Sequence, residues 1–179
     1  GAQPLDGEQC PSSLWRHSVS LVGKNVAVVG SAASAAQIVP EIAKVAKHVT
    51  VFQRTANYVI PRKDRKFLAV EKWCFRRLPG YGKLYRLLLF LRYEWLAYPI
   101  VKTGANNIQR RYAMWQFKKL LNRHIKDPQK RESLTPDYPI GCKRVLISDD
   151  YYAALNRENV KLETRGIDRI TRSGVHTRD

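Results

Sequence analysis

The sequence is poor in cysteine, acidic residues and long apolar runs. Cys10, Cys74 and Cys142 are far apart and odd in number, which excludes a disulfide framework and any C-x-x-C metal pair. We therefore expect free thiols in a reducing compartment and no bound metal. The longest apolar run, Leu87 to Leu91, is far shorter than the roughly 20 residues that a membrane-spanning helix needs.

The first residues lack two further features. The stretch GAQPLDGEQCPSS contains no initiator methionine and no apolar core of a secretory signal peptide. We therefore expect a cytoplasmic protein, of which this chain is an interior piece.

The shortage of acidic residues is concentrated in one segment. The chain has 32 Lys/Arg and 15 Asp/Glu, a net charge of +17. Between Arg62 and Arg131 there are 19 Lys/Arg and only four Asp/Glu, so the rest of the chain is nearly neutral. An excess of this size suits an anionic partner such as nucleic acid or an anionic membrane surface.

A strand, a helix and a second strand are predicted from Lys24 to Arg54. NVAVVG is typical of a parallel strand buried on both faces, and VTVF is typical of a second buried strand. The segment SAASAAQIVPEIAKVAKH between them has helical apolar spacing, although Pro40 must remove one helical hydrogen bond. A chain of 179 residues suits one ordinary domain, and this unit predicts an α/β class with a parallel sheet.

The segments outside this unit predict how the chain is organised into a linker, a domain and an insertion. Residues 62–133 predict a basic insertion of two to four helices. After it, KRVLIS returns to a strand pattern, DDYYAALNRENV predicts a short helix, and the C-terminal part predicts two or three strands. We predict that residues 24–61 and 134–179 form one Rossmann-like domain, preceded by a linker at residues 1–23.

The turn GSAASA, after the first strand, resembles a dinucleotide-binding turn. Gly30 supplies the tight bend, while Ala32 and Ala35 stand where a Rossmann turn has its second and third glycines. Only Ala32 is a real departure, because its methyl group would push a pyrophosphate outward unless the backbone there suits alanine. Ser31 and Ser34 can cap the helix or bond phosphate.

The residues after the second strand favour one nicotinamide cofactor. NAD sites usually place Asp or Glu there for the ribose 2′-hydroxyl, whereas this chain has Gln53 and Arg54. A cation at this point favours the 2′-phosphate of NADPH. The alternative is that Arg54 is a solvated surface charge and that the small residues of the turn serve only packing.

Two segments of the chain carry a family resemblance. The stretch GKNVAVVGSAASAAQIVPEIAKVAKHVTVFQRTANYVIPRKDR resembles the NADPH-binding segment of class B flavoprotein monooxygenases, the Baeyer–Villiger and flavin-containing monooxygenases. That family shares the turn, the Gln and Pro of the helix and Phe-Gln-Arg-Thr-Pro-Asn. LTPDYPIGCKRVLISDDYYAALNRENVKLET is similar to its Asp-Tyr-Pro-x-Gly-x-Lys-Arg segment, which also follows a helical insertion. The resemblance covers residues 5–179 and implies a Rossmann-like NADPH-binding domain with a parallel sheet, interrupted by a helical insertion.

The resemblance also implies a set of cofactor-binding residues. In the turn and helix these are Gly30, Ser31, Ala32, Ser34, Ala35 and Gln37. Arg54 and Thr55 would contact the 2′-phosphate side, with Lys143 as a second cation. Arg144 corresponds to the arginine that, in Baeyer–Villiger members, stabilises a negatively charged peroxyflavin and positions the nicotinamide, a role that suits a permanently charged guanidinium. The alternative for Lys143 and Arg144 is an exposed basic pair at the start of a strand.

The implied function is NADPH- and FAD-dependent monooxygenation. In the family, a peroxyflavin transfers oxygen from O₂ to a ketone, or to a nitrogen or sulfur atom, of a small organic substrate. Neither the family's earlier FAD-binding glycine unit nor its C-terminal flavin-closing segment occurs in this chain, so we expect it to be inactive alone. The alternative is a truncated or degenerate NADPH-binding homologue without catalysis.

The family fingerprint is eroded in the N-terminal linker. Gly7 and Trp15 match the pattern, whereas Leu5, Pro11 and Arg16 replace Phe, His and Pro or Asp. The change at Pro11 puts in doubt the coupling between domains that is tied to the histidine. The alternative is that a loop glycine and a core aromatic share the spacing by chance.

The insertion mixes aromatic and basic residues, which leaves three interpretations. It is either an amphipathic cover packed on the nucleotide domain, or a peripheral contact with anionic lipid headgroups, or a nucleic-acid surface. The sequence contains no nucleic-acid motif, so we do not expect the third.

Overall fold

The computed structural model describes residues 5–102 and 107–178. It contains a short 3₁₀ helix at Ser12–Leu14. The strands are β1 (Asn25–Val29), β2 (His48–Phe52), β3 (Val59–Ile60), β4 (Leu146–Ile147), β5 (Val160–Glu163), β6 (Ile167–Thr171) and β7 (Gly174–Thr177). The helices are α1 (Ala33–Val45), α2 (Ala69–Arg77), α3 (Tyr81–Val101), α4 (Ile108–His124), α5 (Pro128–Ser133) and α6 (Tyr151–Leu155).

A three-stranded parallel sheet in the order β1-β2-β5 is the base of the fold. Strand β2 is central, since Val49 pairs with Val26 of β1 on one side and with Val160 of β5 on the other. The predicted α/β class with a parallel sheet is therefore confirmed. Helix α1 continues through Pro40, as the apolar spacing predicted.

The predicted double-sided burial of the first strand is wrong. Strand β1 alternates exposed and half-buried residues, and Val29 is 67% exposed. Within the described residues β1 pairs only with β2, so it is an edge of the sheet, and an apolar pattern alone does not reveal what covers a strand.

Strands β3 and β4 form a separate parallel pair that joins a segment before residues 62–133 to a segment after them. Val59 pairs with Leu146 and Ile60 with Ile147. KRVLIS therefore does form a strand, although a short one outside the main sheet. The C-terminal strands β6 and β7 make an antiparallel hairpin.

The helices of the insertion differ in how deeply they are buried. Helix α4 buries Ala113, Phe117, Leu120 and Leu121 in the same core as α1, β2 and α6. By contrast, α2 buries none of its residues, and α3 buries only Ile100 among those whose burial is described. The interpretation of the insertion as a cover is thus correct for α4 alone.

Helix α3 presents an uncharged apolar stripe to solvent. Its residues recur at helical spacing, and each is more than half exposed: Leu84, Leu87, Leu88, Leu91, Trp95 and Tyr98. No described helix is long and apolar enough to cross a membrane.

Two tyrosines of α6 lie deep in the core. Tyr151 and Tyr152 are 2% and 1% exposed, and the Tyr151 hydroxyl has no hydrogen-bond partner among the described residues. Burial raises the pKa of Tyr151 to about 12. The protonated phenol is therefore the form that the folded state favours.

We expect the Tyr151→Phe variant to be at least as stable as the parent at neutral pH, because the substitution removes an unsatisfied buried hydroxyl. Since the unfolded chain ionises first, with a tyrosine pKa near 10, the parent loses stability as the pH rises from about 10 towards 12. Urea unfolding at pH 11 should favour Tyr151→Phe by about 1 kcal/mol. Tyr93→Phe, at an exposed position, should not show this gain; equal behaviour of the two variants would contradict the prediction.

Candidate functional site

The turn after β1 bends at Gly30. Its φ is +103°, a left-handed conformation that only glycine adopts at little cost. Its N–H donates to the carbonyl of Phe52 at 2.9 Å, which ties the turn to the end of β2. A Cβ at Gly30 would meet nothing within 4 Å, so the backbone conformation, and not packing, calls for glycine.

The two alanines of the turn differ in role. Ala32 is the N-cap of α1 and has φ −79° and ψ −167°, an extended conformation that alanine adopts without strain. Its side chain is exposed. Ala35 is only 6% exposed and belongs to the same buried core as Val49 and Val51 of β2.

The N-terminus of α1 has no side-chain cap. Its first N–H groups therefore lack intrahelical acceptors and point out of the helix with the positive end of the dipole. Ser34 and Gln37 are exposed on this first part of the helix. Such a terminus is suited to a phosphate group.

Ser31 does not cap the helix, so that predicted option is wrong. Its hydroxyl donates to the carbonyl of Thr55 at 3.2 Å and accepts from the amide of Asn57 at 3.1 Å. Asn57 also donates to the Ser31 carbonyl at 3.0 Å. This network holds the turn against the loop that follows β2. Sequence reasoning missed Asn57 as a site residue, although it stands in the quoted FQRTAN segment.

Two successive residues after β2 differ in burial. Gln53 is buried and donates from Nε2 to the carbonyl of Ser133 at 3.0 Å, so it anchors the end of α5. Arg54 is exposed. Its guanidinium forms no side-chain hydrogen bond or ion pair with any residue in the described ranges, which leaves its charge available to a ligand.

The second part of the predicted site is tied to the first by a pair of tyrosines. The Tyr58 hydroxyl donates to the carbonyl of Tyr138 at 2.6 Å, and the Tyr138 hydroxyl donates to the carbonyl of Ala56 at 2.8 Å. Burial is the main reason that the pKa of each phenol is raised, so both remain donors at neutral pH. Residues from both sides of the insertion are therefore held together by a loop in which Ala56 follows Arg54 by two positions.

Lys143 and Arg144 follow this tyrosine pair and are exposed. The Lys143 ammonium lies 4.5 Å from the centre of the Tyr138 ring. Within residues 5–102 and 107–178, no carboxylate forms an ion pair with Arg54, Lys143 or Arg144. An exposed cation without an ion-pair partner can bind an anionic ligand such as a phosphate group.

A carboxylate does lie at the end of β5, but it is already neutralised. Glu163 is 7% exposed and accepts hydrogen bonds from Arg165 at 2.9 and 3.1 Å. The bond from Arg165 is the main reason that the pKa of Glu163 is lowered to about 2. Glu163 therefore adds little net negative charge next to the predicted phosphate site.

The alternative explanation of the family fingerprint needed a core aromatic residue in the N-terminal segment, but this segment is exposed. Trp15 is 39% exposed and is not a core aromatic, and Gly7 and Pro11 are also exposed. The N–H of Asp6 donates to the Arg172 carbonyl in the C-terminal hairpin at 3.1 Å.

No group of His, Cys, Asp or Glu among the described residues could hold a metal ion.

Comparisons of the sequence find relatives along the whole chain, although no protein-family model matches it. The chain is 39% identical to the FAD-binding monooxygenase ktnD of Aspergillus niger, over 100% of its own length and 29% of that protein. It is 37% identical to a Baeyer–Villiger monooxygenase of Pseudomonas aeruginosa, over 98% of its length and 33% of the relative. A Baeyer–Villiger monooxygenase of Streptomyces coelicolor is also 37% identical, with 100% and 34% coverage.

Comparison with solved structures finds monooxygenases that share the fold of this chain. An oxidised steroid monooxygenase bound to NADP is 25% identical with a TM-score of 0.72, over 91% of this chain and 38% of that one. A closed structure of cyclohexanone monooxygenase has a TM-score of 0.74 at 23% identity, over 98% and 39% of the two chains. The chain spans about a third of the length of the sequence relatives it matches. Over its whole length the chain is therefore similar to one segment of the Baeyer–Villiger and FAD-binding monooxygenases, which confirms the resemblance found in the sequence.

Proposed function

We propose that this chain is the NADPH-binding part of a FAD-dependent Baeyer–Villiger-type monooxygenase. The observation that carries the proposal is the exposed, unpaired Arg54 at the end of β2, where a carboxylate would favour NADH. Arg54 would contact the 2′-phosphate together with Lys143 and Thr55, and the Thr55 carbonyl accepts a hydrogen bond from Ser31. The steroid monooxygenase with the same fold is bound to NADP, which supports this assignment.

The turn would hold the pyrophosphate of the same cofactor. Free N–H groups at the start of α1 would donate to its oxygens, aided by the helix dipole. Ala32 is compatible with this role because its backbone is extended without needing glycine. Gly30, Ser34, Ala35 and Gln37 complete the turn and first helical residues over which the cofactor would pass.

Arg144 would act at the reacting end of the cofactors. Its guanidinium offers a planar fork of donors to developing negative charge. When bound, FAD carries reducing equivalents from NADPH to O₂, and the balanced reaction converts ketone, O₂, NADPH and H⁺ into ester, NADP⁺ and water. The flavin would be held by residues outside these 179, so the whole activity would need a protein of the relatives' full length.

Calorimetric titration of the chain with NADPH and NADH tests the cofactor assignment. We expect clearly tighter binding of NADPH, because the two differ only in the 2′-phosphate. High salt should reduce the difference, since exposed cations are screened. Equal affinities, or no binding of either cofactor, would contradict the proposal.

A second measurement separates catalysis from binding alone. The full-length protein that contains this segment should purify with flavin and oxidise NADPH in the presence of O₂ and a ketone. A full-length protein that binds NADPH but lacks flavin would support the non-catalytic homologue instead.

A further inference from the structure

Lys143 is fixed by an aromatic ring instead of an acid. Its ammonium lies 4.5 Å from the centre of the Tyr138 ring, within the range of a cation–π contact. A carboxylate could also hold a lysine side chain, but it would cancel the charge and repel a phosphate. An aromatic face restrains the flexible side chain and leaves its full positive charge available to an anion.

The Tyr138 ring is itself held from two sides. Its hydroxyl donates to the Ala56 carbonyl at 2.8 Å, and its own carbonyl accepts from the Tyr58 hydroxyl at 2.6 Å. The two rings meet edge to face, with centroids 5.6 Å apart and an interplanar angle of 85°. These contacts join positions that are 80 and 82 residues apart in the chain. Ala56 is two residues beyond Arg54, so the position of the ring is set by the loop that carries Arg54.

We propose that Tyr138 is a positioning residue that holds Lys143 in register with Arg54, so that the two cations form one site for the 2′-phosphate of NADPH. This inference rests on the proposed function. It assigns part of the cofactor selectivity to a residue outside the dinucleotide turn. Tyr138 follows the insertion in the sequence, whereas its partners Ala56 and Tyr58 precede it. The ring acts through Lys143 and does not itself touch the phosphate.

The test is a calorimetric comparison of NADPH and NADH binding in a set of variants. Tyr138→Leu removes the ring, and we expect it to weaken NADPH binding by about 2- to 5-fold, the value of an exposed cation–π contact. Binding of NADH should be unchanged. Tyr138→Phe keeps the ring and should keep most of the NADPH preference. An equal loss for both cofactors would overturn the proposal, because it would show a merely structural role.

A double-mutant cycle gives the sharper result. In a Lys143→Ala background, Tyr138→Leu should have no further effect on NADPH affinity. If the two effects add instead, Tyr138 does not act through Lys143 and the proposal fails. Tyr112→Leu is a matched control, because the Lys63 ammonium lies 5.6 Å from the Tyr112 ring in a pair outside the proposed site; it should alter neither affinity.

Failure of the inference and failure of the proposed function give different results. A parent chain without NADPH preference would contradict the proposed function. A parent chain with that preference, unchanged in Tyr138→Leu, would overturn only the role of Tyr138. Thermal unfolding of each variant checks that it is folded at the titration temperature. If Tyr138→Leu is not folded, Tyr138→Met, which also lacks the aromatic ring, takes its place with the same expected result.

Discussion

Replacing Phe117 with alanine is expected to lower the free energy of unfolding by about 3 to 5 kcal/mol. Phe117 lies on α4, is 1% exposed, and meets the Tyr58 ring edge to face with centroids 5.0 Å apart. It also packs near Tyr152 of α6. Truncation would leave a cavity between three elements that cannot all collapse into it. Chemical denaturation monitored by circular dichroism measures the change.

The control for Phe117 is a phenylalanine of the same insertion. Phe90 on α3 is 59% exposed, and Phe90→Ala should change the unfolding free energy by less than about 0.5 kcal/mol. If Phe117→Ala fails to fold, Phe117→Leu keeps most of the volume and should cost about 1 to 1.5 kcal/mol. Equal stabilities for the Phe117 and Phe90 variants would show that α4 is not part of the folding unit.

Replacing Arg54 with alanine is expected to weaken NADPH binding by about 10- to 100-fold. This range corresponds to the roughly 1.5 to 3 kcal/mol of a hydrogen bond to a charged group. NADH lacks the 2′-phosphate, so its affinity should change little. Arg54→Lys keeps the charge but loses the planar fork of donors, and an intermediate affinity is expected.

Replacing a second arginine distinguishes a direct contact of Arg54 with the cofactor from an effect of the chain's net charge. Arg92 on α3 is exposed, and Arg92→Ala lowers the net charge of the chain by the same amount as Arg54→Ala. It should leave the NADPH affinity nearly unchanged at physiological salt, because distant exposed charges are screened. A similar loss in both variants would mean that Arg54 acts through the overall field. Equal losses of NADH and NADPH in Arg54→Ala would mean that the loop itself is disrupted.

The strand-helix-strand unit was predictable because its local signals agree. The β-branched run before Gly30, the helical spacing of Ile38 and Ile42, and the second run ending at Phe52 all favour the same element types. All four helices of the insertion form within the predicted segment for a similar reason. Which elements pack over a strand or helix could not be predicted in the same way. The exposure of β1 and of the α3 stripe depends on neighbouring elements, which hydrophobic periodicity does not specify.

The charged residues of the candidate site could be proposed from the sequence, but the hydrogen bonds around them could not. Arg54 and Lys143 could be proposed from residue type and motif position. The bonds of Ser31 to Thr55 and Asn57, and those between Tyr58 and Tyr138, could not. They join segments that are distant in sequence, and no local pattern indicates which hydroxyl faces which carbonyl.

The position of β2 in the sheet has a consequence for how the chain folds during synthesis. Val49 pairs early with Val26 of β1, but its other neighbour, Val160, follows 111 residues later. Until β5 emerges from the ribosome, the second edge of β2 has unpaired N–H and C=O groups next to apolar side chains. Non-local parallel pairing of this kind is slow. Aggregation and chaperone binding can therefore compete with completion of the sheet until β5 has been synthesised.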